Sequence, residues 1–372
     1  MLRVLMAVTS LDCGGIENLL MNIYRIIDRS KIQFDFLTHR NTKFYFEDEV
    51  EKMGGKIYRM PPVNPIPGSR YRKELDRFFK EHKEYKIVHA HMNALSTYVL
   101  RAAKRNNVPV RIAHSHNSEL GEGLIKNLIK RYSRHNLNRY CNYKFACSKN
   151  AGIFLFRKGF DNCIILKNGI DVEQYRYNGE IRQRTRERLN IKTNTVYGHV
   201  GSFTEQKNHD FLIDIFAEIK KRDDKSKLML IGDGPLAGRI KEKINDLNLD
   251  NDVIMLGTRN DVNELLMAMD VFLFPSKYEG LGIALIEAQA AGLKCLASSE
   301  VPKEADVTGL VEFLSIEDNT KVWAENAIGQ VSDRIDQSSK IKEAGYDIEY
   351  TANWLQKFYM NEVSKYDINH SS

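Results

Sequence analysis

The chain has 372 residues, 42% hydrophobic and 28% charged, with 8 prolines and no low-complexity tract. This composition excludes a disordered or fibrous protein and leaves room for two domains with separate cores. Five scattered cysteines, with no C-x-x-C pair, exclude a disulfide framework and a thiolate zinc site and fit a reducing, cytoplasmic setting. The formal net charge of +6 conceals an asymmetry: residues 1–170 hold 30 Lys and Arg against 15 Asp and Glu, and the rest holds 25 against 34. An anionic partner surface is therefore expected of the first half alone.

The opening run MLRVLMAV contains Arg3 and turns polar at Thr9, too early for a signal peptide, and no run of about 18 apolar residues is present to span a membrane. It reads as a strand followed by SLDCGGIENLL, where Gly14 and Gly15 open a helix. Unpaired N–H groups and the positive end of the helix dipole would meet an anion there, although a tight turn also needs glycine. Apolar runs at 33–38, 86–90, 110–114, 143–147 and 163–166 then alternate with segments of helical period.

Within this half, GLIKNLIKRYSRHNLNRY (123–140) spaces Leu124, Ile125, Leu128, Ile129 and Tyr132 helically among Lys126, Lys130, Arg131, Arg134 and Arg139. It reads either as a helix lying on an anionic bilayer or as a core helix with a solvated charged face. No helix-turn-helix, RNA-binding aromatic or zinc-finger signature argues for nucleic acid. KNGIDVEQYRYNGE (167–180) breaks the alternation and is taken as the linker. TVYGHV, KLMLIG, DVIMLG, DVFLFP and KCLAS restart it. Repeated β-α alternation requires parallel sheets covered on both faces, so the expected fold is α/β, with two doubly wound Rossmann-like domains facing each other across a cleft. In such sheets ligands sit beyond the carboxyl ends of the strands.

Three loops of the second half carry candidate chemistry. GSFTEQKNHDFLIDIF begins with Gly201 and Ser202 and brings Lys207 to the start of a helix, where a cation opposes the dipole and asks for an anion, unless it is simply solvated. LMLIGDGPL has the G-x-G of a dinucleotide loop at Gly232 and Gly234, but Pro235 follows and Gly238 falls one place late, which argues against a Rossmann pyrophosphate site. In KYEGLGIALIEAQAAG, Glu279 precedes Gly280 and Gly282, and Glu287 follows about one turn into a helix starting near Ile283. Acid, bare amides, acid is the order that a sugar, a diphosphate and a ribose would ask for.

The ordered set GGIE, HSHN (114–117), GSFTEQKN, GDGP, EGLGIALIEAQAAG and SSEVPKE (298–304) resembles the retaining glycosyltransferases of family 4, which have the GT-B fold, and within them the branch that builds capsular polysaccharides and exopolysaccharides. The resemblance covers nearly the whole chain. It implies an acceptor-binding domain over 1–170, a nucleotide-sugar-binding domain over 171–349, and a helix from about 350 to 372 that packs back on the first. It implies transfer from a UDP-sugar to a saccharide acceptor, with no cofactor and no metal; the basic first half adds the expectation that the acceptor is lipid-linked at the inner face of the cell membrane. Carried over by position, Lys207 would bind the diphosphate, Glu279 the transferred sugar and Glu287 the ribose. The amides of Leu281, Gly282 and Ile283 would meet phosphate, Gly201 and Gly232 would line the donor loops, and Arg259 would lie near the base. Gly14 and Gly15 would close on the donor, and His116 would sit near the reacting sugar, with His114 as its rival.

Ser202 departs from this pattern, since the family often has arginine there. That leaves open a non-catalytic subunit that binds donor feebly, beside a sugar-nucleotide epimerase of the same fold and an NAD-dependent dehydrogenase. The sole D-x-D, Asp250 to Asp252, reads as a turn and not as a metal motif.

Overall fold

Two sheets, each with every strand pairing parallel, organise the described residues of the computed structural model, which are 1–12, 14–63, 68–116, 133–191, 193–331 and 333–370. The first sheet contains β1 (Leu2–Ala7), β2 (Ile32–Thr38), β3 (Ile57–Arg59), β4 (Ile87–Ala90), β5 (Val110–Ser115), β6 (Tyr143–Ala146) and β7 (Cys163–Ile165), in the order β3-β2-β1-β4-β5-β6-β7. The second contains β8 (Val196–Val200), β9 (Lys227–Ile231), β10 (Val253–Met255), β11 (Val271–Phe274), β12 (Lys294–Ser298) and β13 (Val311–Leu314), in the order β10-β9-β8-β11-β12-β13. In both, the chain winds outward to one side of the first strand and then returns to build the other side. The switch points fall at β1/β4 and β8/β11, where a doubly wound sheet opens a ligand crevice at its carboxyl end.

Contacts divide the chain into two units, Met1–Gly169 joined by the C-terminal segment from Ile348, and Ile170–Asp347. In the first, every residue of β2 is buried, including Gln33, Asp35 and Thr38. Helices cover both faces of such a strand, so its sequence is close to continuously apolar and its few polar side chains need internal partners. Asp35 has them: it is paired with Arg3, and the Tyr85 hydroxyl donates to it at 2.6 Å.

The C-terminal helix, Ile348–His370, completes this unit. Its Ile348, Ala352, Leu355 and Tyr359 are buried among Val4, Met6, Tyr24, Phe34 and Phe145. Gln356 accepts the Asp28 N–H at 2.9 Å, and Lys86 donates to Asp367 at 2.7 Å.

Three sequence expectations need adjustment. β3 and β13 went unseen because IYR and VEFL are short and partly exposed, and so carry too few apolar positions to show a period. The segment read as a linker belongs to the second unit's core. It forms a helix at Val172–Tyr175, buries Ile170 and Val172, and bonds the Ile170 N–H to the Tyr346 carbonyl at 2.8 Å, which joins the two ends of that unit. Of the basic stretch 123–140, residues 123–132 lie outside the described residues. Arg134 stacks 4.9 Å over the Phe154 ring and donates to its carbonyl, so part of that charge is held internally.

Among the described residues no helix is long and apolar enough to cross a membrane.

Candidate functional site

In the second unit the loops after β8 and β11 bring together the side chains picked out from the sequence. Lys207 ends a short helical turn, Glu205–Lys207, and Asn208 in the left-handed region (φ 57°) then turns the chain into the helix His209–Lys220. The Lys207 stem lies flat over Gly201, where a Cβ would come within 3.2 Å of its Cδ and Cε. A side chain at 201 would meet His199 Nε2 first, at 2.9 Å, and then this stem.

Lys207 Nζ donates to Glu279 Oε1 at 2.6 Å and sits 4.9 Å over the Phe274 ring. Gln206 donates to the second Glu279 oxygen at 3.3 Å and to the Tyr278 carbonyl at 3.0 Å. The lysine expected on a diphosphate and the glutamate expected on a sugar therefore pair with each other. Their side chains are only 15% and 7% exposed, a depth at which either charge alone would be costly.

Gly282 adopts φ 85° at the start of the helix Ile283–Ala290, and no side chain caps that end. The positive φ requires glycine; Leu285 N–H bonds back to the Gly282 carbonyl at 2.9 Å, and the N–H groups ahead of it are those that a helix start leaves without an intrahelical acceptor. Glu287 follows about one turn later and accepts the Tyr175 hydroxyl at 3.0 Å. Burial pushes its carboxyl up to about 7, partly offset by Tyr175 and by the charge of Lys207. Tyr175 escaped the sequence reading because it lies in the supposed linker. The signal would have been the aromatic in IDVEQY directly after the domain boundary.

The remaining second-unit candidates take other positions. Gly232 (φ 138°) packs so closely on Gly201 that a Cβ would stand 2.1 Å from its carbonyl oxygen, and Gly234 approaches Phe203 in the same way. GDGP is thus explained by the contact of two loops, with Phe203 N–H donating to the Asp233 carbonyl at 3.0 Å. Ser202 lies between them, and its carbonyl accepts the Thr204 N–H. Arg259 follows β10 and is held bidentately by Asp261 at 2.7 Å, so its charge is already matched. Asp252 pairs with Lys220 and Lys227, which accounts for the D-x-D as a surface turn. Gln289 pins the loop after VPKE: it donates to the Ala305 carbonyl at 2.7 Å and accepts from the N–H groups of Val307 and Thr308.

In the first unit, Gly14 and Gly15 do open a helix, Gly15–Ile26, beyond β1. The carboxylate of Glu17, also part of GGIE, folds over them, since a Cβ on Gly14 would lie 2.2 Å from its Oε2. Ser10 donates to Glu17 at 3.3 Å, and burial raises the Glu17 carboxyl above its ordinary value. An anion at this helix start meets that acid.

His116 lies just past β5 and is buried, as is His114. Neither stands alone. His91 Nδ1 is 2.9 Å from His116 Nε2, and His89 Nε2 is 3.1 Å from His114 Nδ1. His89 in turn meets the Tyr359 hydroxyl at 2.6 Å. Burial holds all four imidazoles well below the ordinary histidine range, His116 at about 3. Asn93, in the left-handed region (φ 49°), accepts the His116 N–H at 3.0 Å and ties the end of β4 to that of β5. His89, His91 and Tyr359 were missed. HAH at 89–91 and HSH at 114–116 are the signal, because adjacent parallel strands place alternate residues on one face.

Comparison with known proteins agrees with this arrangement. A family model described as Glycosyl transferases group 1 matches residues 181–347, and one described as Glycosyltransferase Family 4 matches residues 13–174. The chain is 35% identical to the putative glycosyltransferase EpsF of Bacillus subtilis (strain 168), across 98% of this chain and 97% of that protein. It is 28% identical over 235 residues, 58% of each chain, to an Escherichia coli protein named UDP-Gal:alpha-D-GlcNAc-diphosphoundecaprenol alpha-1,3-galactosyltransferase. The crystal structure of Anabaena HepE in complex with UDP and glucose has the same fold, with a TM-score of 0.79 at 18% identity, covering 97% of this chain and all of that one. Two doubly wound α/β units with glycine-rich loops at their switch points thus make a GT-B protein, and the chain belongs to the glycosyltransferases of that fold.

Proposed function

We propose that this protein is a retaining glycosyltransferase that moves a sugar from a UDP-sugar to a lipid-linked saccharide in the assembly of a capsular polysaccharide or exopolysaccharide. The observation that carries the reading is the cluster of Lys207, Glu279 and Glu287 beside the uncapped start of the helix Ile283–Ala290. The donor's diphosphate would lie at that helix start, against the amides of Leu281, Gly282 and Ile283, and take Lys207 as its cation. Glu279 would then be free to accept hydroxyls of the transferred sugar, and Glu287, ionised, those of the ribose.

As the sugar leaves, charge grows on the departing diphosphate. Lys207 and the helix dipole stabilise it without reorganisation, and no metal is needed. The relatives' names support the donor and acceptor classes: one carries UDP-Gal and a diphosphoundecaprenol-linked sugar in its name, and a solved neighbour was crystallised with UDP and glucose. The capsule assignment rests on HSHN and SSEVPKE, and the cytoplasmic, inner-leaflet location on the basic first half. Ser202 favours a second reading, a donor-binding subunit inactive without a partner.

The test is nucleotide release from a panel of UDP- and GDP-sugars, with and without polyprenyl-diphosphate-linked saccharides, with and without chelator, beside Glu279→Ala. Release that needs both acceptor and Glu279 and persists in chelator is expected. Release without acceptor would indicate an epimerase or hydrolase, and no release from folded protein would favour the subunit. For the membrane, flotation with anionic but not neutral vesicles is expected, and equal behaviour with both would remove that part.

A further inference from the structure

The four histidines of the first unit are candidates for a metal centre, since single nitrogens of His89, His91 and His114 lie within 4.8 Å of one another. The ring geometry argues otherwise. The His89 and His114 rings are nearly parallel (8°) with centroids 5.2 Å apart and facing nitrogens at 3.1 Å. The His91 and His116 rings likewise have centroids at 5.2 Å and facing nitrogens at 2.9 Å. Centroids so much farther apart than the nitrogens mean rings meeting edge to edge along the N–H direction. That is a hydrogen bond, whereas two ligands of one zinc ion converge on it at a tetrahedral angle. The two pairs stack face to face, His89 on His91 at 4.1 Å and His114 on His116 at 4.2 Å.

Proton placement in the first pair follows from counting partners. Tyr359 is fully buried, and among the described residues its hydroxyl meets only His89 Nδ1. A buried hydroxyl without another acceptor must donate. His89 Nδ1 therefore accepts, His89 Nε2 carries the proton and donates to His114 Nδ1, and His114 keeps its own proton on Nε2. That Nε2 has no partner among the described residues, and neither do His91 Nε2 and His116 Nδ1. The second pair has no such anchor. Whichever of its two nitrogens donates across the contact, one outer nitrogen is left with a proton and the other with a lone pair.

We propose that Tyr359, acting through His89, is a positioning residue that fixes His114 as an Nε2–H donor, so that any lone pair offered to a hydroxyl of the reacting sugars comes from the His91–His116 pair and not from His114. The functional half of this inference rests on the glycosyl-transfer reading. The tautomer half does not, and the two are tested separately.

Two-bond proton–nitrogen spectra of protein labelled with 15N-histidine, assigned with His89→Asn and His114→Asn, report tautomers directly. In the wild type, His89 and His114 are expected as single Nε2–H tautomers. In Tyr359→Phe both are expected to become mixtures, while His91 and His116 stay unchanged. A wild-type His114 protonated on Nδ1, a pattern indifferent to Tyr359→Phe, or one equivalent of Zn²⁺ bound through His89 and His114 would overturn the assignment. The wild-type spectrum alone decides if the variant fails to fold.

In turnover, Tyr359→Phe is expected to lower kcat about fivefold with the donor KM unchanged, the size of one lost hydrogen bond. An unchanged kcat with altered tautomers would overturn the functional half only. Failure of wild-type transfer leaves the spectra to judge the rest.

Discussion

The two units share a winding order and treat charge in opposite ways at the carboxyl ends of their central strands. Beyond β8 and β11 the second unit keeps a lysine and a glutamate almost out of water by pairing them at 2.6 Å, with a second glutamate nearby. At the carboxyl ends of β4 and β5 the first unit buries four imidazoles and holds them neutral, joined by hydrogen bonds. Doubly wound topology fixes where a site forms. Its electrostatics are set by a few side chains at the strand ends.

Acid should separate the two regions most strongly. In the first unit the four histidines and buried His39, at about 4, are depressed in the folded state, against His199 and His209 in the second. Their contribution is whole above the unfolded pKa near 6.5 and is lost as pH falls below it, at about 1.4 kcal/mol per pH step for each group still neutral when folded. Urea midpoints should therefore drop steeply between pH 6.5 and 5. A flat profile would mean that these rings are solvated.

Next comes the ion pair. Lys207→Met removes the cation that pairs with buried Glu279 and should cost about 3 kcal/mol in thermal or urea unfolding, and transfer about a hundredfold or more. Adding Glu279→Gln should restore most of the stability and none of the transfer. If the double variant is as unstable as the single one, the pair is not what holds these loops.

Glu287 sharpens the contrast because its sign is reversed. Its carboxyl is raised to about 7 in the folded state from 4.5, so it destabilises fully above pH 7, and this penalty disappears as pH falls toward 4.5. Relative to Glu287→Gln, the wild type should gain up to about 2–3 kcal/mol between pH 8 and 5, while donor affinity should rise with pH through 7 as the carboxylate forms. The smallest effect is expected from Tyr175→Phe. Loss of its hydroxyl removes a donor to the ionised form and should move the donor-binding midpoint to higher pH, with unfolding changed by about 1 kcal/mol. A midpoint that stays in place would show that Tyr175 only packs.

The sequence announced a good share of this. Long apolar runs such as VFLF gave the central strands, because strands buried on both faces are continuously apolar. IYR and VEFL, at the sheet edges, are only partly buried and each carries a charged residue, so they did not show as apolar runs. EGLGIALIE was legible because its glycines and acids lie within one local element. The Lys207–Glu279 contact was not, since 72 residues separate the partners and nothing local says that a lysine expected to wait for phosphate would close on a glutamate. HAH and HSH were present as letters, but their meaning depends on β4 lying beside β5 and on Tyr359, which is 270 positions from His89.

The C-terminal helix also sets a timetable for folding. The first unit's seven strands are complete in the chain by residue 165, yet Ile348, Ala352, Leu355 and Tyr359, which close its core, follow the whole of the second unit. At roughly 5–20 residues per second the ribosome needs on the order of ten to forty seconds to cross that interval. During that time the apolar groove on the first unit is open, and His89 lacks the hydroxyl that orients it. A nascent chain arrested at residue 347 should bind hydrophobic dyes and chaperones, whereas one extended past residue 372 and clear of the exit tunnel should not. The unit made first is thus the unit finished last.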